Sequence, residues 1–340
     1  MRLNERAYSL VKHLMENHPE EIILHSVTEF AEVIDCGIGL RGGLQLGLDL
    51  AEICLAGLAK VSLTSQYHPN FIPVSTDSEN TLHPLPTQTN RDSHLSELQI
   101  EVRTDFPVKA CLASQYAGWQ LTSGKYFAMG SGPMRAAYAK EPIFSDIGGE
   151  TEQPTVVIGI LETGKLPPED LIREMKAKLP ASVEKLILLV APAASIAGTI
   201  QVVARCLETA LHQLHEKKFP LDTIVSGYGI APLPPIAKSE IQAIGWTNDA
   251  ILYGGRVHLW CSADDSLIQK IGPQIVAPSS KDYGKPFVEL FKQVNYQFYQ
   301  IDSALFAPAQ VVIHSLSSAK TYSYGHVNLP LLHQSFGGSQ

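Results

Sequence analysis

Short apolar runs of strand length alternate with amphipathic stretches of helix length along most of this chain. That alternation narrows the fold more than any other feature. Thr155 to Leu161 and Leu186 to Val190 are near-continuous aliphatic runs, the mark of strands covered on both faces. Between them, residues 167–178 open on Pro-Pro-Glu-Asp, a helix-start signal. Leu3, Ala7, Leu10 and Leu14 recur at helical spacing within residues 3–18. Further strands are expected at 22–27, 32–35, 61–64, 223–230 and 310–313, and helices at 46–57, 197–217 and 287–294. Strand-helix alternation of this kind argues an α/β fold.

At 340 residues the chain exceeds the usual single core, so two α/β domains are expected. The stretch SDIGGETEQP suggests a boundary near residue 150, giving domains of 1–150 and 151–330. Residues 66–97 break the pattern: three His, four Pro and much Ser, Thr and Asn, with no sustained periodicity, read as a polar loop insertion.

Hydrophobic residues are 45% and charged residues 18%, enough to bury a large interior. The net charge of −8 with no Lys/Arg block argues against nucleic acid as a partner. No run approaches the ~18 apolar residues of a membrane span. The N-terminal segment lacks the apolar centre of a signal peptide, so a cytoplasmic location is expected. Mean hydropathy is +0.03, which leaves room for a buried oligomer interface. Cys36, Cys54, Cys111, Cys206 and Cys261 are odd in number and lack any CxxC pair, so they are read as buried thiols.

The 197–217 segment is the strongest helix signal and carries a polar line, Gln201, Arg205, Glu208 and His212, beside its apolar face. Arg205 and Glu208 are within reach of each other at that spacing. They form either a surface ion pair or part of a site, since the helix follows a buried strand through APAASIAG, as helices beside α/β pockets do. Gly124 to Arg135 contains GxGxxR, without the third glycine of a dinucleotide fold. Its backbone amides and Ser131 could approach an anionic or pterin group with Lys125 or Arg135 nearby, or the glycines simply build a tight turn. Asn248 and Asp249, followed by Tyr253, could cap a helix or hydrogen-bond an aminopyrimidone edge. His212 and His215 stand at HxxH spacing, which does not match the HExxH zinc pair, so no metal is expected. No Ser sits in a G-x-S-x-G elbow. Tyr283 to Ala309 threads Tyr283, Phe287, Phe291, Tyr296, Phe298 and Tyr299 past Gly284 and Pro286 into an exposed-looking Phe306-Ala307-Pro308.

From about Val33 to Tyr324 the chain resembles the methenyltetrahydromethanopterin cyclohydrolases. The resemblance rests on DCGIGLRGG, SQYAGW, GKYFAMGSGPMR, VAPAASIAG, SGYGIAPLPP, TNDAILYGGR and YGKPF. It implies two α/β domains with a deep pocket between them, a homo-oligomer (commonly a trimer) and no metal or redox cofactor. The implied reaction interconverts the methenyl and N5-formyl forms of tetrahydromethanopterin, a reduced pterin that is substrate rather than cofactor. The Arg-x-x-Glu pair assigned to catalysis in that family falls on Arg205 and Glu208, with Glu208 as general acid and base held by Arg205. Residues 66–97 are longer and more polar than that family's norm. A non-catalytic pterin-binding protein, or an interaction subunit, are the rival readings.

Overall fold

The computed structural model describes residues 2–65, 74–76, 82–84, 98–150 and 153–337. Strands β1 (Ile23–Thr28), β2 (Ala31–Asp35), β3 (Lys60–Ser65), β4 (Val74–Thr76) and β5 (Leu82–Pro84) come first. They are followed by β6 (Leu98–Thr104), β7 (Trp119–Ser123), β8 (Tyr126–Ser131), β9 (Val156–Glu162) and β10 (Lys185–Ala191). Strands β11 (Ile224–Pro232), β12 (Arg256–Cys261), β13 (Gln310–Ser315) and β14 (Thr321–Gly325) complete the set. The first helices are α1 (Leu3–Asn17), α2 (Leu44–Cys54), α3 (Met134–Tyr138), α4 (Phe144–Ile147) and α5 (Glu169–Lys178). After them come α6 (Ile196–Val203), α7 (Cys206–Glu216), α8 (Glu240–Gly254), α9 (Asp265–Ile271), α10 (Phe287–Gln293) and α11 (Leu329–Phe336). Apart from the paired strands β4 and β5, the 66–97 insertion lies outside the described residues.

Two six-stranded sheets organise these elements as an α/β fold. One runs β1-β2-β10-β9-β8-β7, with β2, β10 and β9 parallel. The aliphatic runs of β9 and β10 are buried on both faces, as their composition requires. On one side Val157, Leu161 and Leu188 meet Leu171, Ile172 and Met175 of α5. On the other, Ile158, Ile160 and Leu189 meet α1 and α2. The second sheet runs β14-β13-β12-β11-β6-β3. Its covered face, with Val102, Val257 and Ile313, joins Leu207, Leu211 and Tyr253 in the largest core. Each sheet draws strands from both sides of residue 150, so a single cut there separates neither sheet from the other.

The aromatic stretch is mostly interior. Phe287 and Phe291 are buried and pack with Phe298 and Phe306 in a cluster of tilted rings. The end of this stretch is not exposed as its sequence suggests: Ala307 and Pro308 are buried. All five cysteines are free and buried. Among the described residues no helix is long and apolar enough to cross a membrane.

Candidate active site

The 197–217 segment is two helices, not one. Ser195 caps the first, its Oγ accepting from Gly198 N at 3.0 Å, the usual role of a helix N-cap serine. The chain then tightens: Arg205 N reaches Val202 O, three residues back, at 3.1 Å, and Arg205 becomes the N-cap residue of α7. No Gly or Pro marks this break, so its cause is tertiary. Gln115 Nε2 donates to Ala204 O at 3.1 Å, supplying a partner for a carbonyl at the break. From the other side β11 presses close, because a Cβ on Gly229 would stand 2.9 Å from Leu207 N. The SGYGIAP motif therefore has a packing reason.

The break turns Arg205 and Glu208 into the protein, where they are 8% and 4% exposed. A surface ion pair is excluded. Nor do the two pair directly: Arg205 Nη2 makes its ion pair with Glu162 Oε1, at the C-terminal end of β9. The same nitrogen donates to Ser131 Oγ at 3.2 Å, and Ser131 Oγ lies 3.4 Å from Cys54 Sγ. Among the described residues nothing hydrogen-bonds Arg205 Nε or Glu208 Oε1. Buried polar atoms are nearly always satisfied, so two open ones on residues one helical turn apart mark a place for water or ligand. Burial pushes the Glu208 carboxyl up to about 7, although Arg205 and Arg135 both pull it down.

Arg135 is the second guanidinium here and is fully buried. Gly132, at φ +90°, makes the turn from β8 into α3 that brings Arg135 inward. Its Nε and Nη2 grip Glu141 at 2.8 and 2.7 Å. Nη1 donates to Leu112 O and Ser114 O at 2.9 and 3.3 Å. Both carbonyls belong to a π-helix at Val108–Gln115, a wide turn of a kind frequent at functional sites. Tyr116 lies over Arg135 on one side and stacks on His212 at 4.5 Å. Counting the two ion pairs and Glu208, two guanidiniums face three carboxylates. One negative charge remains when Glu208 is ionised.

A cleft of about 670 Å³ opens at the C-terminal ends of β2 and β10 and is closed by the segment after β11, the usual ligand position in such sheets. Its walls are residues 37–41, 194–196 and 236–238. Asp35 fixes the first wall, accepting from Gly37, Ile38 and Gly39 amides at 2.9, 2.6 and 2.8 Å. Arg205 and Glu208 do not line it. The eight residues of α6 put them roughly 12 Å from its mouth. Glu162 spans the gap in part, since its register partner Ala191 stands three residues before that wall.

The other candidate residues separate. Ser131 and Arg135 join the cluster, whereas Lys125 is exposed on the β7–β8 turn, roughly 20 Å along β8 from Ser131. Asn248 and Asp249 cap neither their own helix nor a turn, because both lie inside α8. Asn248 Nδ2 donates to Ile244 O at 2.7 Å. Asp249 accepts from Phe287 N at 2.9 Å and from Ser335 Oγ at 2.5 Å, so it ties down the start of α10 instead. Tyr253 OH donates to Lys285 O at 2.5 Å. Asp249 and Tyr253 hold the YGKPF segment and α11 in place, while Asn248 bonds only back into its own helix among the described residues. Glu162, Gln115 and Glu141 were not singled out by sequence. A charged residue closing an apolar parallel strand, as Glu162 does, was the one available signal.

The sequence profile of the family described as Cyclohydrolase (MCH) matches residues 2–88 and 81–336. A methenyltetrahydromethanopterin cyclohydrolase of Rhodopirellula baltica is 41% identical over 311 residues, 90% of this chain and 86% of that protein. Proteins of the same name from Methylobacillus flagellatus and Methanospirillum hungatei are 37% and 38% identical. The alignments cover 99% and 98% of this chain, and 96% and 98% of those proteins. Identity at this level over nearly the full length makes the chain a member of the methenyltetrahydromethanopterin cyclohydrolase family.

Proposed function

We propose that this chain catalyses the reversible hydration of 5,10-methenyltetrahydromethanopterin to 5-formyltetrahydromethanopterin, a step of one-carbon metabolism such as formaldehyde oxidation or methanogenesis. The observation that carries the reading is Glu208: a buried carboxyl with an open oxygen, held near neutrality between two guanidiniums. The methenyl bridge is an amidinium-like cation, and its carbon is already electrophilic, so the reaction asks for no metal to polarise it. What it needs is a group that takes a proton from water and gives one to nitrogen, the work of a carboxyl poised near the working pH.

In this mechanism Glu208 accepts a proton as water oxygen bonds to the bridge carbon, forming a neutral carbinolamine. The C–N10 bond then breaks as Glu208 returns that proton to N10. The carbinol O–H proton leaves to solvent, and the formyl group stays on N5, so one proton is released in all. Arg205, its charge balanced by Glu162, offers Nε to the water oxygen and later to the formyl oxygen. The single excess negative charge of the cluster complements the cationic bridge. The cleft beyond α6 would hold the rest of the pterin. Arg205 acts here on the oxygen rather than as a direct clamp on Glu208.

The reading is carried to a cytoplasmic homo-oligomer, a trimer as is common in the family it resembles, by the sequence resemblance. Val225, Trp260 and Leu316, each at least a third exposed on the second sheet and its edge, are suited to such contact; light scattering of the purified protein tests it.

The test of activity is direct. Purified protein added to the methenyl compound should abolish the bridge's ultraviolet absorbance far faster than buffer does. Glu208→Gln should bind the compound yet leave its absorbance nearly unchanged over the same time. Wild-type protein no faster than buffer defeats the proposal; near-normal turnover by E208Q removes Glu208 from it.

A further inference from the structure

We infer, on the cyclohydrolase reading above, that Glu162 is a positioning residue: by occupying Arg205 it keeps Glu208 out of a direct ion pair and leaves that carboxylate free to exchange protons. Three observations converge on this role. Arg205 has two carboxylates in its neighbourhood and makes its ion pair with Glu162 alone among the described residues. Glu208 Oε1 is left open, as is Arg205 Nε. Glu162 itself is anchored by the sheet, at the last position of β9 in register with Ala191, so its carboxylate is delivered by a rigid strand rather than a loop. A guanidinium that lost this partner would turn to the other carboxylate, and an ion-paired Glu208 would be a poor base near neutral pH.

The groups around Glu208 are few enough to name. Arg205 precedes it on its own helix and His212 follows one turn later. Arg135 faces it from α3, Cys111 and Tyr116 from the π-helix and its end, and Glu162 from β9. Beyond Glu162 stands Glu240 of α8, whose carboxylate accepts from Ala194 N at 3.3 Å. Arg135 is already held by a bidentate pair with Glu141 and by two carbonyls. Arg205 is therefore the cation whose allegiance can change, and Glu162 decides it.

The test is the pH dependence of kcat/KM in Glu162→Gln and Glu162→Asp. The acid limb reports the free-enzyme base. In E162Q it should move down by about one unit, the effect of an opposite charge becoming available at close range. KM for the cationic substrate should rise ~10-fold as the excess negative charge is lost, one pKa unit being a factor of ten. E162D keeps the charge and should hold the limb near its wild-type position. Should E162Q fold poorly, Glu162→Asn against E162D makes the same comparison one methylene shorter. Titration of the Glu208 carboxyl by carbon-13 NMR reads the same shift without turnover. Lower activity with an unmoved limb and an unmoved Glu208 titration makes Glu162 merely structural and overturns the inference. An upward shift overturns it as well. If wild-type protein shows no turnover while Glu208 still titrates lower in E162Q, the reaction is wrong and the charge relation stands.

Discussion

Two buried carboxyls in this protein are pushed up to about 7 by the same cause, and they do different things. Glu208 and Asp249 are 4% and 0% exposed, and burial leads the causes of both shifts. Asp249 has spent its oxygens: one takes the Phe287 amide, the other the Ser335 hydroxyl. It joins α8 to the start of α10 and to α11, with a partner on each oxygen. Among the described residues Glu208 keeps Oε1 unpartnered, with the unpartnered Nε of Arg205 in the same cluster. A raised carboxyl is thus no mark of a site by itself; the hydrogen-bond ledger around it is what distinguishes a joint from a workplace.

The same chemical change at each should separate them most widely. Glu208→Gln should cut turnover by about 10²–10⁴, the usual worth of a positioned acid–base group, while the folded protein persists. Asp249→Asn should leave turnover close to wild type. Assays of the two variants side by side, with circular dichroism to confirm folding, check this; a D249N enzyme as dead as E208Q would erase the distinction.

Next in size is the effect of pH on stability. A carboxyl whose folded pKa stands above its unfolded one binds more protons when folded. Stability is therefore full below the unfolded value, near 3.8 for Asp249, and is lost as pH rises to about 7. Asp249→Asn removes that titration, so unfolding free energies from urea titrations across this window should fall less steeply than in wild type, by an amount on the order of a few kcal/mol. Asp249→Ala instead strands the Phe287 amide and should cost about 1–3 kcal/mol at the acid end of the window, less as pH rises to about 7. An unchanged slope in D249N would mean that Asp249 ionises normally.

This contrast explains what sequence could disclose. Strands β9 and β10 and helices α1, α2 and α5 announce themselves because burial on two faces or one writes itself into local pattern. The break before Arg205 does not, since it depends on Gln115 from a π-helix 89 residues earlier and on a glycine strand that follows. Family motifs delivered Arg205 and Glu208 but not the partner of Arg205, which comes from the end of a strand more than forty positions upstream. Nor can a motif tell which of its polar residues bind ligand: TNDAILYGGR supplies Asp249 and Tyr253, both spent on internal joints, and GKYFAMGSGPMR carries Lys125 and Ser131 to opposite ends of one strand.

The smallest effects belong to the periphery of that joint. Tyr253→Phe removes a single hydrogen bond to Lys285 O and leaves the ring in place. The cost should be about 0.5–1.5 kcal/mol, toward the upper end because the carbonyl loses its partner inside the protein. Turnover should not change, since Tyr253 holds the YGKPF segment rather than the Glu208 cluster. Lys125→Ala, at an exposed turn, should shift stability by no more than about 0.5 kcal/mol. Its KM should also stay put, because an exposed cation roughly 20 Å from Ser131 along β8 is screened by solvent and salt. Denaturation midpoints and KM for both variants provide the check. A raised KM in K125A alone would mean that the pterin tail reaches across β8 to the hairpin tip, and would extend the functional surface beyond the cleft.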